Sequence, residues 1–132
     1  MSRRSFTVEQ ANRMLPLVRR IVEDVVVAYG AWQQAVGQFE VASNSNASDA
    51  AHFQGETERV ALEIDGYLRE LGELGLEFKG FEHGLIDFPS EMDGRPIYLC
   101  WKLGESAVAH WHEVDAGFSG RKQLEMVENH PT

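Results

Sequence analysis

Residues 81–114, FEHGLIDFPSEMDGRPIYLCWKLGESAVAHWHEV, decide the fold. β-branched and aromatic residues dominate this stretch, and glycine and proline punctuate it at short intervals, the pattern of antiparallel strands joined by turns. The reading places strands at 81–88, 96–102 and 107–114. Asp93-Gly94, inside the first link PSEMDGR, is a hairpin signal because both residues tolerate positive φ, and LGES is a short second turn with Gly104. Links this short make a three-stranded antiparallel β-meander spanning 78–115.

Working back toward the N-terminus, the period changes from two to between three and four. Ala11, Met14, Leu15, Val18, Ile21, Val22, Val25, Tyr29, Trp32, Val36 and Phe39 form one apolar stripe, as a long amphipathic helix requires. Thr7-x-x-Gln10 is a capping box that starts it. Pro16 lies beyond the first turn and removes one backbone bond, so the helix is expected to kink there without breaking. The polar run SNSNASDAAH reads as a loop, with Ser48 or Asp49 capping a second helix. That helix carries Val60, Ile64, Tyr67, Leu68, Leu71 and Leu74 on one face and ends near Gly72 or Gly75. The expectation is an α+β fold in which a long kinked αα-hairpin over 7–75 packs with the β-meander, in a single domain over 1–118. Residues 119–132 read as a flexible tail or a strap over the surface.

The chain has 132 residues, is 43% hydrophobic and carries a formal charge of -9. That length and apolar fraction suit one core. The negative charge repels phosphate backbones, and the basic residues form no stripe, which argues against nucleic acid and anionic membranes as partners. No apolar run reaches the length of a bilayer span and the two N-terminal arginines precede no apolar leader, so the cytoplasm is expected. A helix of about 30 residues is roughly 45 Å long, whereas a seven-residue strand covers about 24 Å. Trp32, Val36 and Phe39 should therefore extend past the sheet, which predicts a homodimer.

The chemistry-bearing residues gather on the strands. His110-x-His112 puts two imidazoles on one strand face. With Asp87 drawn opposite Ile97 and Leu99 opposite His110, His83, Asp87, His110 and His112 share that face, a ligand set suited to Zn²⁺ or Fe²⁺. A one-residue slip would scatter it. Solvated or carboxylate-bonded histidines are the plainer interpretation of the same residues. Glu113 alternates to the other face, Glu82 opens the first strand, and Glu105 sits in the second turn, where carboxylates often accept backbone hydrogen bonds. Neither helix holds a Glu-x-x-His, so a helical di-iron centre lacks its motif. Cys100, the only cysteine, excludes an internal disulfide. In the drawn register it faces away from His110 and His112 and reads as a small buried hydrophobe. Hydrolase, P-loop and dinucleotide motifs are absent from the sequence.

The strings FTVEQANRMLPLV, GLIDFPSEMDGRPIYLCWKLGE and WHEVDAGFSGR, spread over residues 6–121, resemble the bacterial family known as domain of unknown function 2203. The resemblance implies the fold and a bacterial cytoplasmic origin, and no activity. It also implies a ranking: Glu82, Asp87, Glu105, His112 and Glu113 stand above His83 and His110, which fall where the family is expected to vary. A carboxylate-rich site with one histidine favours iron or manganese over zinc. The resulting expectation is a small metal-binding protein whose sheet supplies His112 and Asp87, completed by Glu113, Glu82 or Glu105. The alternatives are a ligand-free dimeric interaction module and a small enzyme that uses bound iron or zinc. Any small-molecule ligand is left unspecified.

Overall fold

The computed structural model describes residues 5–125. Helix α1 runs from Val8 to Ser43 and α2 from Ala47 to Glu73. Five strands follow: β1 Glu77–Gly80, β2 Leu85–Met92, β3 Arg95–Lys102, β4 His110–Glu113 and β5 Lys122–Gln123. They form one antiparallel sheet in the order β1-β2-β3-β4-β5. The architecture is α+β with a helical hairpin, and the sheet has five strands where three were expected. The two additional strands are short edge pieces of four and two residues, too brief to carry an alternating pattern of their own.

The capping box forms as read: Gln10 N–H donates to Thr7 Oγ1 at 3.1 Å, and Thr7 N–H donates to Gln10 Oε1 at 2.9 Å. α1 continues unbroken through Pro16. The second cap differs from the expectation. Asn46, not Ser48 or Asp49, caps α2, because its Oδ1 accepts from the N–H groups of both those residues. One side-chain oxygen there satisfies two otherwise orphaned helix donors.

The stripes of the two helices close on the sheet. Leu15, Val18, Val22 and Val25 of α1 and Leu71 of α2 are buried in one core with Ile86, Phe88, Ile97, Leu99 and Trp101. Farther along the hairpin Ala28, Val60 and Ile64 make a second cluster, against which Trp32 is packed. Val36 and Phe39, beyond it, are half-buried. Among the described residues no helix is long and apolar enough to cross a membrane.

The strands expected at 81–88, 96–102 and 107–114 lie at 85–92, 95–102 and 110–113, and the two shifted ends of β2 matter most for the site. Residues 81–84 form a turn, and β2 starts only at Leu85. Gly84 enforces this: its φ is +62°, and a Cβ there would lie 2.8 Å from Val22 Cγ1 and 3.0 Å from Leu103 Cβ, so only glycine lets the turn sit against α1. At the other end, β2 and β3 run through PSEM to a two-residue turn at Asp93-Gly94, with φ of 53° and 79°, the type I′ geometry of tight hairpins. Pro89 is tolerated inside β2 because its backbone oxygen, and hence its nitrogen, points away from β3, where β1 has already ended. That oxygen accepts from Phe6 N–H at 2.8 Å, on the edge side where a proline costs no ladder bond.

These strand lengths set the register. Asp87 pairs with Cys100 instead of Ile97, a slip of three, and Leu99 pairs with Trp111 instead of His110, a slip of one. Both slips are odd, so for Asp87 relative to His110 and His112 they cancel. β3, between them, is turned over: Tyr98 and Cys100 join Asp87 and His112 on the outer face, while Ile97, Leu99 and Trp101 go to the core. Asn12 pins the link before β4, accepting from Val108 N–H at 2.8 Å and donating to Val108 O at 3.3 Å. Of the tail expected over 119–132, residues up to 125 are described and form a strap: a 3₁₀ turn at Phe118–Gly120 leads into β5, and Leu124 N–H donates to Ala109 O; residues 126–132 lie outside the described residues.

Candidate metal centre

On the sheet face turned away from the helices, Asp87 of β2, Cys100 of β3 and His112 of β4 converge. Asp87 is 3%, Cys100 1% and His112 2% exposed, although α1 and α2 pack on the other face. Their potential ligand atoms lie within 4.8 Å of one another, and among the described residues they are the one group of three or more such side chains close enough to hold an ion. A pocket of about 240 Å³ opens over them, lined by Lys79, Leu85, Tyr98, Val114, Gly117 and Phe118.

His112 is oriented at both ring nitrogens. Nδ1 lies 2.7 Å from the backbone carbonyl of Glu113. A carbonyl only accepts, so Nδ1 carries a proton. Nε2 is then bare in the neutral ring, and it faces the Asp87 carboxylate, 3.0 Å from Oδ1 and 3.1 Å from Oδ2. Two electron-rich groups meet head-on, buried, and something positive has to lie between them: a proton or a metal ion.

Burial pushes the Asp87 carboxyl up from its ordinary pKa, and the His112 bond opposes that rise without cancelling it. Burial also pushes the Cys100 thiol up to about 12, with the neighbouring Asp87 charge adding to the effect. A thiol held that high is not a nucleophile at neutral pH. His112 does not relieve it, since its nitrogens are committed to Asp87 and Glu113 O. The trio therefore lacks the thiol-to-imidazole bond that activates a catalytic cysteine.

The other candidates lie elsewhere. Glu82 and His83 occupy the β1–β2 turn and not the expected strand, with side chains 90% and 55% exposed. His83 stacks on Phe118, ring centroids 6.2 Å apart. Glu113 points to the opposite face, as alternation predicts, and pairs with Arg95 at 2.7 Å. That bond holds the Glu113 carboxyl below its usual range. What it offers the site is its backbone carbonyl. Glu105 accepts from Lys102 N–H at 2.8 Å and from Arg121 at 2.9 Å. Burial raises its pKa, but these bonds win and hold it low, a turn-stabilising role. His110 does share the face, opposite Cys100. Its Nδ1 is buried without a hydrogen-bond partner, and the Glu105 carboxylate is 3.8 Å away.

The sequence reading missed Cys100. Its signal was the Asp93-Gly94 turn taken at its minimum of two residues: pairing Met92 with Arg95 and counting back places Cys100 opposite Asp87.

No curated protein and no solved structure matches the chain. The model of the family described as uncharacterized conserved protein, DUF2203, matches residues 4–124, nearly the whole chain, and the protein belongs to that family.

Proposed function

We propose that this protein binds one transition-metal ion through Asp87, Cys100 and His112, with the pocket side left open for water or a small ligand. The observation that carries the reading is the Nε2 of His112 held 3.0 Å from a buried carboxylate beside the Cys100 thiol, while Nδ1 is tied to a backbone carbonyl. Histidines that ligate metals are held in this way, their second nitrogen donating to a carbonyl or carboxylate. With metal–ligand bonds of about 2.1 Å at a tetrahedral angle, ligand atoms lie about 3.4 Å apart, so an ion would spread Nε2 and Oδ1 slightly from their separation of 3.0 Å.

The donor set narrows the metal. A thiolate, an imidazole and a carboxylate suit Zn²⁺ or Fe²⁺ and suit Mn²⁺ poorly, because manganese prefers oxygen donors. This moves zinc level with iron and sets manganese below both. Three protein ligands beside a pocket make an open, catalytic type of site, not a closed structural one. Its chemistry would be polarisation of a bound water or carbonyl. Metal binding must take the proton from Cys100, so affinity should rise with pH.

The test is elemental analysis of protein purified without a histidine tag, followed by Co²⁺ loading of the metal-free chain. About one equivalent of metal per chain and a thiolate-to-cobalt absorption band are expected. Less than about a tenth of an equivalent of any transition metal, together with no thermal shift on adding Zn²⁺, Fe²⁺ or Co²⁺, would overturn the reading.

A further inference from the structure

We infer that the pocket above the three ligands takes a small aliphatic monocarboxylate, with Lys79 as the residue that selects its charge; this rests on the metal reading above. Three features of the pocket support it. Its volume of about 240 Å³ falls below the roughly 300–1,000 Å³ of pockets for drug-sized ligands, so only a few heavy atoms fit. Its walls are largely apolar, with Leu85 of β2 facing Val114 and Phe118 of the strap, which suits a short hydrocarbon body.

The third feature is polar and held in place. Glu77 shares out its carboxylate, Oε2 accepting from Tyr98 Oη at 2.9 Å and Oε1 from Lys79 Nζ at 3.0 Å. Lys79 also sits 5.8 Å from the centre of the Tyr98 ring. These contacts place the half-exposed ammonium at the pocket wall, where Lys79 is the one lysine or arginine among the lining residues. An ammonium has three N–H donors, and the Glu77 pair uses one of them.

Charge then selects the ligand. A divalent ion, the Asp87 carboxylate and the Cys100 thiolate sum to zero, as do Lys79 and Glu77. A monoanion adds one negative charge, shared between the ion and Lys79. A phosphate dianion would place two beside Asp87, Glu77 and Cys100, and a neutral amide would gain nothing from Lys79.

The test uses the full chain loaded with Co²⁺ and follows its visible d–d bands during titration with acetate, isobutyrate, isobutyramide and inorganic phosphate. Isobutyrate should shift the bands saturably and bind more tightly than acetate, with phosphate and isobutyramide weaker than either. Lys79→Met, and separately Lys79→Gln, should weaken isobutyrate about tenfold or more, the worth of one charge-assisted hydrogen bond, on chains that still take up Co²⁺. Bands that respond to neither carboxylate on a loaded chain overturn the inference and leave the metal reading standing. Isobutyramide or phosphate binding as tightly as isobutyrate, or Lys79 variants that bind isobutyrate normally, overturn it as well. A chain that takes up no Co²⁺ overturns both.

Discussion

The two faces of one sheet bury side chains of opposite character. Toward the helices, Ile86, Phe88, Ile97, Leu99 and Trp101 are at most 2% exposed and pack in an apolar core. Toward the strap, Asp87, Cys100 and His112 are equally buried and bring a raised carboxyl, a raised thiol and an oriented imidazole together. Hydrophobic burial explains the first face fully. The second face loses stability in desolvating a charge, a loss that apolar residues would avoid. An arrangement of this kind is understandable where a ligand repays it.

That contrast can be broken most forcefully from the helix side. Trp101→Ala deletes a fully buried ring and the bond from its Nε1–H to Glu105 O at 2.9 Å. It should cost about 3–5 kcal/mol, read as a lower urea midpoint of the metal-free chain. A loss under about 1 kcal/mol would mean that the core face is not packed as described.

On the other face, Cys100→Ala should weaken metal binding by about a hundredfold or more, since even partners that only orient a ligand are worth 10–100-fold. The same substitution separates the thiol's role in the metal-free fold. The Cys100 pKa is about 12 in the folded chain against an ordinary 9.0. Between those values the unfolded chain has lost this proton and the folded chain keeps it. Stability should therefore fall as pH rises from 9 to 12, by up to about 1.4 kcal/mol per pH unit. Urea titrations of the metal-free protein across that range should show this slope, and Cys100→Ala should flatten it.

Asp87→Asn sharpens the comparison further, because it should move stability and function in opposite directions. The carboxamide can donate to the bare Nε2 and carries no buried charge, so the metal-free chain should be unchanged or about 1 kcal/mol more stable at pH 7. Metal uptake should be lost. The raised Asp87 pKa means that the folded chain holds this proton more tightly than the unfolded one. Stability of the native chain should therefore decline as pH rises above 3.8, the ordinary value, toward the raised folded value, and Asp87→Asn should weaken that decline. A melting temperature that drops sharply at pH 7 would show that the carboxylate itself stabilises the fold.

The smallest effect is expected at Glu113. Its side chain pairs with Arg95 at the surface, and only its backbone carbonyl touches the site. Glu113→Gln should leave both the melting temperature and the metal affinity unchanged within error. A lost metal would place the carboxylate in the site after all.

Much of this molecule was determined locally. Thr7 and Gln10 mark the start of α1, the helical stripes name their own buried faces, and Asp93-Gly94 marks the hairpin, because capping and turn conformations depend on a few neighbouring residues. Strand alternation likewise put His112 on one face and the Glu113 side chain on the other.

The tertiary structure decided what lies across the strands. Alternation sorts residues within a strand but leaves each strand's parity relative to its neighbour open, and one residue of slip inverts it. Turn length and the approach of α1 to Gly84 set that parity. They turned Cys100 toward Asp87 and His112 and put Glu82 and His83 in a turn outside the strand. The pairing of Lys122 with Trp111 that holds the strap was equally out of reach of the sequence, since two polar residues carry no period and gain their strand conformation only from the edge they join.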